Sequence, residues 1–289
     1  MKFRVAAVQY QLEDINSFEQ FSFQVEHYVR NATEYDVEIL LFPEFLTTQL
    51  LSIPNEQGKA RSIEELPDFT DDYVNLFKRL ANQYQLHIIG GTHVIRMQDG
   101  TKRNAAHYFT PQGDVFVQAK IHLTPTEVEE WSMSAGDGVE VIDTPFGKIA
   151  MLTCYDIEFP EIVRIARAKG ADVIFCPSCT DDRHGFYRVR YCCHARTIEN
   201  QIYVVTTGTV GALRSVDFMR ANYGQAAILA PNDIPFPPAG IIAEGVVNDD
   251  MLVVGDLDIS LLHQVRQKGS VTTWRDRRVD LYPSWSNEE

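Results

Sequence analysis

The sequence predicts an α/β protein made of mixed sheets in layers, with helices over the outer faces. Short apolar runs rich in β-branched residues recur along the chain, and segments of helical spacing lie between several of them. Two further pairs of runs follow one another with no helix between.

In chain order the apolar runs are RVAAVQY (Arg4 to Tyr10), DVEILLFPE (Asp36 to Glu44), LHIIGGTHVI (Leu86 to Ile95), KIAMLTCYD (Lys148 to Asp156), ADVIFCPS (Ala171 to Ser178) and QIYVVTTGTV (Gln201 to Val210). Each ends in Pro, Gly or polar residues and reads as a buried strand. Ser17 to Glu34, Asp71 to Gln85, Glu158 to Lys169 and Phe186 to Asn200 carry the apolar spacing and mixed charge of helices. Asn104 to Lys120 reads as two strands about Pro111-Gln112-Gly113, and Ala226 to Val247 as another pair joined by a Pro-rich loop. Such directly joined pairs disfavour a purely parallel, doubly wound sheet. Roughly a dozen strands against four or five long helices is the balance of layered mixed sheets. No linker, repeat or low-complexity tract divides residues 1–289, which are read as one domain. Residues 275–289 form a polar C-terminal tail with scattered aromatics, expected to pack on another surface or another subunit.

Composition bounds the function. With 45% hydrophobic and 23% charged residues the chain has apolar mass for a large core. Its 26 basic and 40 acidic residues give a formal charge of -14, which repels phosphate backbones and anionic lipid heads. Nucleic acid and membrane surfaces are therefore poor partners. The N-terminus lacks the apolar core of a signal peptide, and no run reaches the ~18 apolar residues that span a bilayer. Five cysteines, an odd number, do not make a disulfide framework. The expectation is a cytoplasmic protein with reduced thiols.

Three residues stand where chemistry is expected. Cys154, in MLTCYDIEFPE, ends an apolar run before a plausible helix start. A strand-to-helix elbow brings a side chain close to backbone N–H groups that lower a thiol pKa and hold an oxyanion. Taken alone, a strand-end Cys is more often a small buried hydrophobe. Glu44 follows LLFPE, where Pro43 stops the strand and Phe42 and Phe45 half-desolvate the carboxylate, raising its pKa toward proton-transfer work. Lys120 closes VFVQAK, and its ammonium faces either water or the charge of a tetrahedral intermediate. A Glu, a Lys and a Cys at the ends of separate strands can converge, because ligands gather beyond strand ends in α/β sheets.

Other candidates weigh less. Cys176 and Cys179 have CxxC spacing, and Cys192, Cys193 and His194 follow. Two of these thiols are adjacent inside a probable helix, where neighbours diverge by ~100°, so packing is preferred to a metal site. Cys179 and Thr180 lie just beyond a strand end and are expected to line a substrate pocket. His122 or His194 would serve a rival Cys–His design.

LLFPEF around Glu44, KIHLTPTEVEEW around Lys120, LTCYDIEFPE around Cys154 and RVRYCCHARTIENQIYVV from Arg188 to Val205 occur in one order. Across essentially the whole chain, the sequence resembles the nitrilase superfamily, the carbon–nitrogen hydrolases. The resemblance implies an αββα sandwich of two mixed sheets covered by helices on both outer faces. It also implies a Glu as general base and then acid, a Cys nucleophile and a Lys at the oxyanion, carried here by Glu44, Cys154 and Lys120. The backbone N–H of Tyr155 is implied as a second oxyanion donor. A second family Glu falls on Glu127, preferred to Glu129 and Glu130 by its distance from Lys120 and Trp131, with the work of orienting Lys120 and the substrate nitrogen. Arg183 and His184 lie in a loop that borders substrate in the family, where they would either hold a substrate carboxylate or be neutralised by the adjacent Asp181 and Asp182. The stretch near Gly224 departs from the commoner pattern, which carries Ser.

The implied reaction is hydrolysis of a small linear amide through a thioester, giving a carboxylic acid and ammonia or an amine, with no cofactor and no metal. Nitrile hydrolysis, acyl transfer to an acceptor other than water, and a silent binding protein on the same fold remain the alternatives. The resemblance further implies a homodimer or larger homo-oligomer through Glu158 to Lys169 and Phe186 to Asn200.

Overall fold

A computed structural model describes residues 1–282. The last seven residues of the expected tail lie outside the described residues. The elements are β1 (Lys2–Leu12), α1 (Phe18–Glu34), β2 (Ile39–Leu41), α2 (Thr70–Tyr84), β3 (His87–Arg96), β4 (Lys102–Phe109), β5 (Val115–Ala119), β6 (Ile142–Thr144), β7 (Gly147–Met151), α3 (Pro160–Ala168), β8 (Val173–Ser178), α4 (Arg183–Asn200), β9 (Tyr203–Gly211), β10 (Ala227–Leu229), β11 (Ile241–Glu244), β12 (Met251–Asp258) and α5 (Ile259–Lys268).

The strands form two mixed sheets. One runs β5-β4-β3-β2-β1-β12, and the other β6-β7-β8-β9-β10-β11. Three-residue parallel pairing of Tyr10–Leu12 with Thr209–Gly211 joins them into one nearly closed sheet. Side-chain alternation along the strands then sets the layers. Val5, Ala7, Ile149, Met151, Val173, Phe175, Tyr203 and Val205 share a core between the sheets. The intervening Ala6 and Val8 pack against α1 and α2, through Phe21, Val25, Tyr73 and Phe77. On the other side, Ala150, Leu152, Ile174 and Val204 pack against Val163, Val189 and Cys193 of α3 and α4. The four layers are helix, sheet, sheet and helix, as the resemblance implies.

The six apolar runs all hold strands, with one consequential difference in length: β2 has three residues, so Phe42 to Glu44 leave the ladder early. Three elements fall outside the sequence expectation. β6 is a three-residue strand, β12 is an eight-residue strand whose apolar run is broken by Gly255 and Asp256, and α5 is a ten-residue helix. Tertiary pairing makes β12, whose residues lie antiparallel along β1 from Lys2↔Asp258 to Gln9↔Met251. Asp258 caps α5, which sends Ile259, Leu262 and Val265 into the core between the sheets. The two segments assigned to an oligomer contact hold α3 and α4, which expose Ile165, Tyr187, Tyr191 and Ile198. Among the described residues no helix is long and apolar enough to cross a membrane.

Buried histidines under α2 are expected to make the fold acid-sensitive. His93 stacks on Tyr73 and bonds Thr47 and Thr70, and His107 bonds the Ala105 carbonyl. Burial, with His107 nearby, pushes His93 down to about 3, and burial pushes His107 down to about 4, from an ordinary 6.5. Because these folded-state values lie below the unfolded one, the unfolded chain takes up protons first as pH falls below 6.5. Each histidine is expected to remove about 3 kcal/mol by pH ~4. Denaturant midpoints at neutral pH and near pH ~4 test this: the His93→Gln/His107→Gln protein loses less on acidification than wild type. Equal losses count against the assignment.

Candidate active site

Four loops meet beyond the strand ends. After β2, Phe42 N–H donates to the Ile89 carbonyl (2.8 Å), Thr92 N–H to the Pro43 carbonyl (3.3 Å) and Phe45 N–H to Thr92 Oγ1 (2.9 Å), which binds the departing chain to β3. Gly91 permits this approach, since a Cβ there would lie 2.0 Å from the Pro43 oxygen and its φ is +68°. Phe45 takes φ +54°, and the turn swings Glu44 inward to complete burial. The half-desolvated carboxylate expected from sequence is fully desolvated.

Lys120 directly follows β5, held by its N–H to the Asn104 carbonyl and by Gly136 N–H to its own carbonyl, both 2.8 Å. Its Nζ donates to Glu44 Oε1 at 2.8 Å and Glu127 Oε2 at 2.7 Å. Glu127 sits in a turn at Thr126–Glu130, where Thr124 N–H (2.9 Å) and Oγ1 (3.0 Å) also donate to Oε2. Trp131, which follows, packs edge-on against Phe45 at 5.5 Å. Cys154 opens a 3₁₀ turn at Cys154–Glu158 with φ +48°, so the elbow is strand to short turn, and α3 begins only at Pro160. Its Sγ donates to the Cys179 carbonyl at 3.7 Å, and Glu44 lies near enough for its charge to act on the thiol. Cys179, beyond β8, donates its N–H to Glu44 Oε2 at 3.0 Å.

Of the seven sequence candidates, Glu44, Lys120, Glu127, Cys154 and the Cys179 backbone are thus joined by one chain of hydrogen bonds, in which the Cys179 backbone links the thiol to Glu44. Tyr155 follows Cys154 in the first turn, where backbone N–H groups have no intrahelical acceptor, and its ring meets Phe159 at 4.9 Å. Thr180 exchanges bonds with Tyr223 and lines a neighbouring cavity with Ser178, Arg190, Thr206 and Gly224; none of the four bonded catalytic candidates lines it.

Electrostatics separate the two carboxylates. Burial raises the Glu44 pKa, opposed by Lys120 and reinforced by Glu127. Burial acts the same way on Glu127, but Lys120 and the hydrogen bonds from Lys120, Thr124 and Asn104 outweigh it, and its pKa falls. Burial opposes the charge on Lys120, yet Glu44 and Glu127 hold its pKa well above the ordinary value. Burial and then Glu44 push the Cys154 thiol well up, so the lowered thiol pKa expected at an elbow is corrected: the resting sulfur is protonated and requires a base. The Cys179 thiol is pushed up to about 12, by burial and then Glu44.

Sequence reasoning missed two residues. Asn104, on β4 and fully buried, donates to Glu44 Oε1 (3.0 Å) and Glu127 Oε1 (2.9 Å). Asp156, also fully buried, accepts from Thr153 N–H (3.1 Å), Ile121 N–H (3.2 Å) and His122 N–H (2.7 Å), tying the Cys154 turn to the chain leaving Lys120. The signals were a polar residue heading the apolar run NAAHYF, and the Thr153-x-x-Asp156 capping spacing.

The rival designs do not assemble. His122 bonds Asp156 at 3.0 Å and stacks on Phe159, and neither it nor His194 hydrogen-bonds Cys154. The Cys176 thiol lies beside Ser178 and Cys193, and no cluster of three or more His, Cys, Asp or Glu side chains suited to a metal occurs among the described residues. Asp182 caps α4 and lies 3.9 Å from His184, while Arg183 stands over Tyr223.

The carbon-nitrogen hydrolase family model matches residues 4–267. The chain belongs to that family. This carbon-nitrogen hydrolase is 46% identical over 279 residues to the probable hydrolase YhcX of Bacillus subtilis (strain 168), a match covering 96% of this chain and 54% of YhcX. The chain thus spans about half the length of that relative. It is 24% identical to the omega-amidase NIT2 of Bos taurus, over 81% of this chain and 84% of the relative. The hydrolase has the same fold as a carbon-nitrogen hydrolase from Helicobacter pylori G27, with TM-score 0.82 and 19% identity over 99% of this chain and 98% of the other.

Proposed function

We propose that this enzyme hydrolyses the C–N bond of small linear amides, with Cys154 as nucleophile, Glu44 as base and then acid, and Lys120 at the oxyanion. The observation that carries the reading is a buried carboxylate that takes an ammonium on Oε1 and, on Oε2, the N–H of Cys179, the residue whose carbonyl accepts the Cys154 thiol. Cys154 is 6% exposed, which favours small substrates.

Attack by sulfur on the amide carbon transfers the thiol proton to Glu44. The oxyanion meets the third N–H of Lys120, whose other two are committed to Glu44 and Glu127, and the Tyr155 N–H. Glu44 returns its proton to the departing nitrogen as the C–N bond breaks, leaving a thioester and a free amine or ammonia. Water then enters and gives a proton to Glu44, its hydroxide adds to the thioester, and the carboxylic acid leaves as sulfur regains the proton. Glu127 keeps Lys120 charged throughout. The omega-amidase relative supports an amide as substrate.

The test is a panel of linear amides and nitriles scored for ammonia, with mass spectrometry for acylated acceptors. Ammonia and free acid from amides are expected, whereas turnover of nitriles alone or acylation of an acceptor in place of water overturns the reading. Since Glu44 must be ionised and its pKa is raised, kcat/KM should fall with decreasing pH through a value above the ordinary 4.5.

A further inference from the structure

Asn104 occupies a fully buried position on β4, opposite Val94 of β3, and its main-chain carbonyl accepts the Lys120 N–H. Its two amide hydrogens are spent on two different carboxylates, Glu44 Oε1 and Glu127 Oε1. A carboxylate oxygen offers two lone pairs. On Glu44, Oε1 takes both Lys120 and Asn104 and is full, while Oε2 takes the Cys179 N–H and has one lone pair left. Glu127 accepts from Lys120, Asn104 and twice from Thr124. The Asn104 Oδ1 is buried without a partner among the described residues. That arrangement is held because the flipped amide would set its oxygen against both carboxylates.

We propose that Asn104 is a positioning residue: its amide fills the inner oxygen of Glu44, so that Oε2 alone takes the thiol proton, and it fixes Glu127 as the standing partner of Lys120. The proposal rests on the reading of Glu44 as base. Asn104 touches no reacting atom and acts through the two carboxylates. Hydrogen bonds to a carboxylate favour its charged form, so loss of this amide moves Glu44 toward protonation. The groups facing Glu44 are Lys120 beyond β5, Glu127 on the turn, and the thiols of Cys154 and Cys179. The Cys179 thiol, at about 12, stays neutral across the working range.

Two variants test this. Asn104→Leu keeps much of the volume and removes both donors, and Asn104→Asp keeps the shape and adds a charge. Two pH profiles are read for each: kcat/KM on the best amide of the panel, and the rate of Cys154 alkylation by iodoacetamide, followed by mass of the Cys154 peptide. For Asn104→Leu the acidic limb of both profiles moves upward by about one pH unit, with a loss of about tenfold below it and recovery above. For Asn104→Asp the limb moves further in the same direction. A limb that stays in place in both variants overturns the proposal, whether or not the rate falls, since loss of packing alone lowers rates without moving it. If Asn104→Leu does not fold, Asn104→Asp decides. Failure of wild type to release ammonia from any amide refutes the proposed function, while the alkylation profiles still decide the role of Asn104.

Discussion

Cys154→Ala is expected to lower amide turnover by at least about a thousandfold while leaving the fold intact. The second half of this expectation is as informative as the first. The sulfur is protonated and neutral at rest, so its removal strands no charge. Glu44, Lys120 and Glu127 keep their mutual bonds. Circular dichroism and thermal unfolding should therefore match wild type closely, and product release should not. Glu44→Gln is expected to retain the shape of the side chain and lose roughly a hundredfold to ten-thousandfold, the usual range for a positioned base. Its thiol stays protonated with nothing to accept the proton. Wild-type turnover in Cys154→Ala would place the nucleophile elsewhere.

Lys120→Met is expected to act on stability as well as on activity. Removing the ammonium leaves two buried carboxylates within reach of one amide, and breaking a buried ion pair from one side costs about 3–5 kcal/mol. The pH dependence gives the sign. Without Lys120 both carboxylates have raised pKa values in the folded state, so stability is retained below those values and lost as pH rises through them. The deficit against wild type should thus shrink toward acid pH. Adding Glu127→Gln removes one of the stranded charges and should recover part of the loss at neutral pH. Denaturant unfolding of the two variants at several pH values checks both statements. A Lys120→Met protein as stable as wild type at neutral pH would mean that the three groups do not share one buried cluster.

The contrast between Cys154 and Lys120 explains what was readable from the chain. Cys154, Glu44 and Lys120 each follow a short apolar run that stops abruptly, and such stops are written in local residues: Pro43 after Phe42, the capping spacing of Thr153 and Asp156, and the polar turn after Ala119. Glu127 was legible only through the resemblance, which implies a second Glu after the Lys, and the turn that holds it returns it to Lys120. Asn104 was not singled out. Its partners lie 60 and 23 residues away, and nothing in NAAHYF says which of its faces meets a carboxylate. The state of the thiol is not legible for a related reason. A strand-end elbow suggests stabilised thiolate, but how far the sulfur is desolvated, and that Glu44 stands beside it, follow from packing.

The chain by itself determined the α/β class, the alternation that sorts side chains into the two faces of each sheet, and the strand ends that carry the Glu, the Lys and the Cys. These depend on periods of two and 3.6 residues and on local turn chemistry, which neighbouring residues specify. Tertiary structure alone decided that β12 pairs along β1, that an amide from β4 bridges two acids, and that one carboxylate has a raised pKa while the other has a lowered one. Burial and charge proximity fall steeply with distance in space and are blind to separation along the chain. Only the assembled sheets bring them to bear.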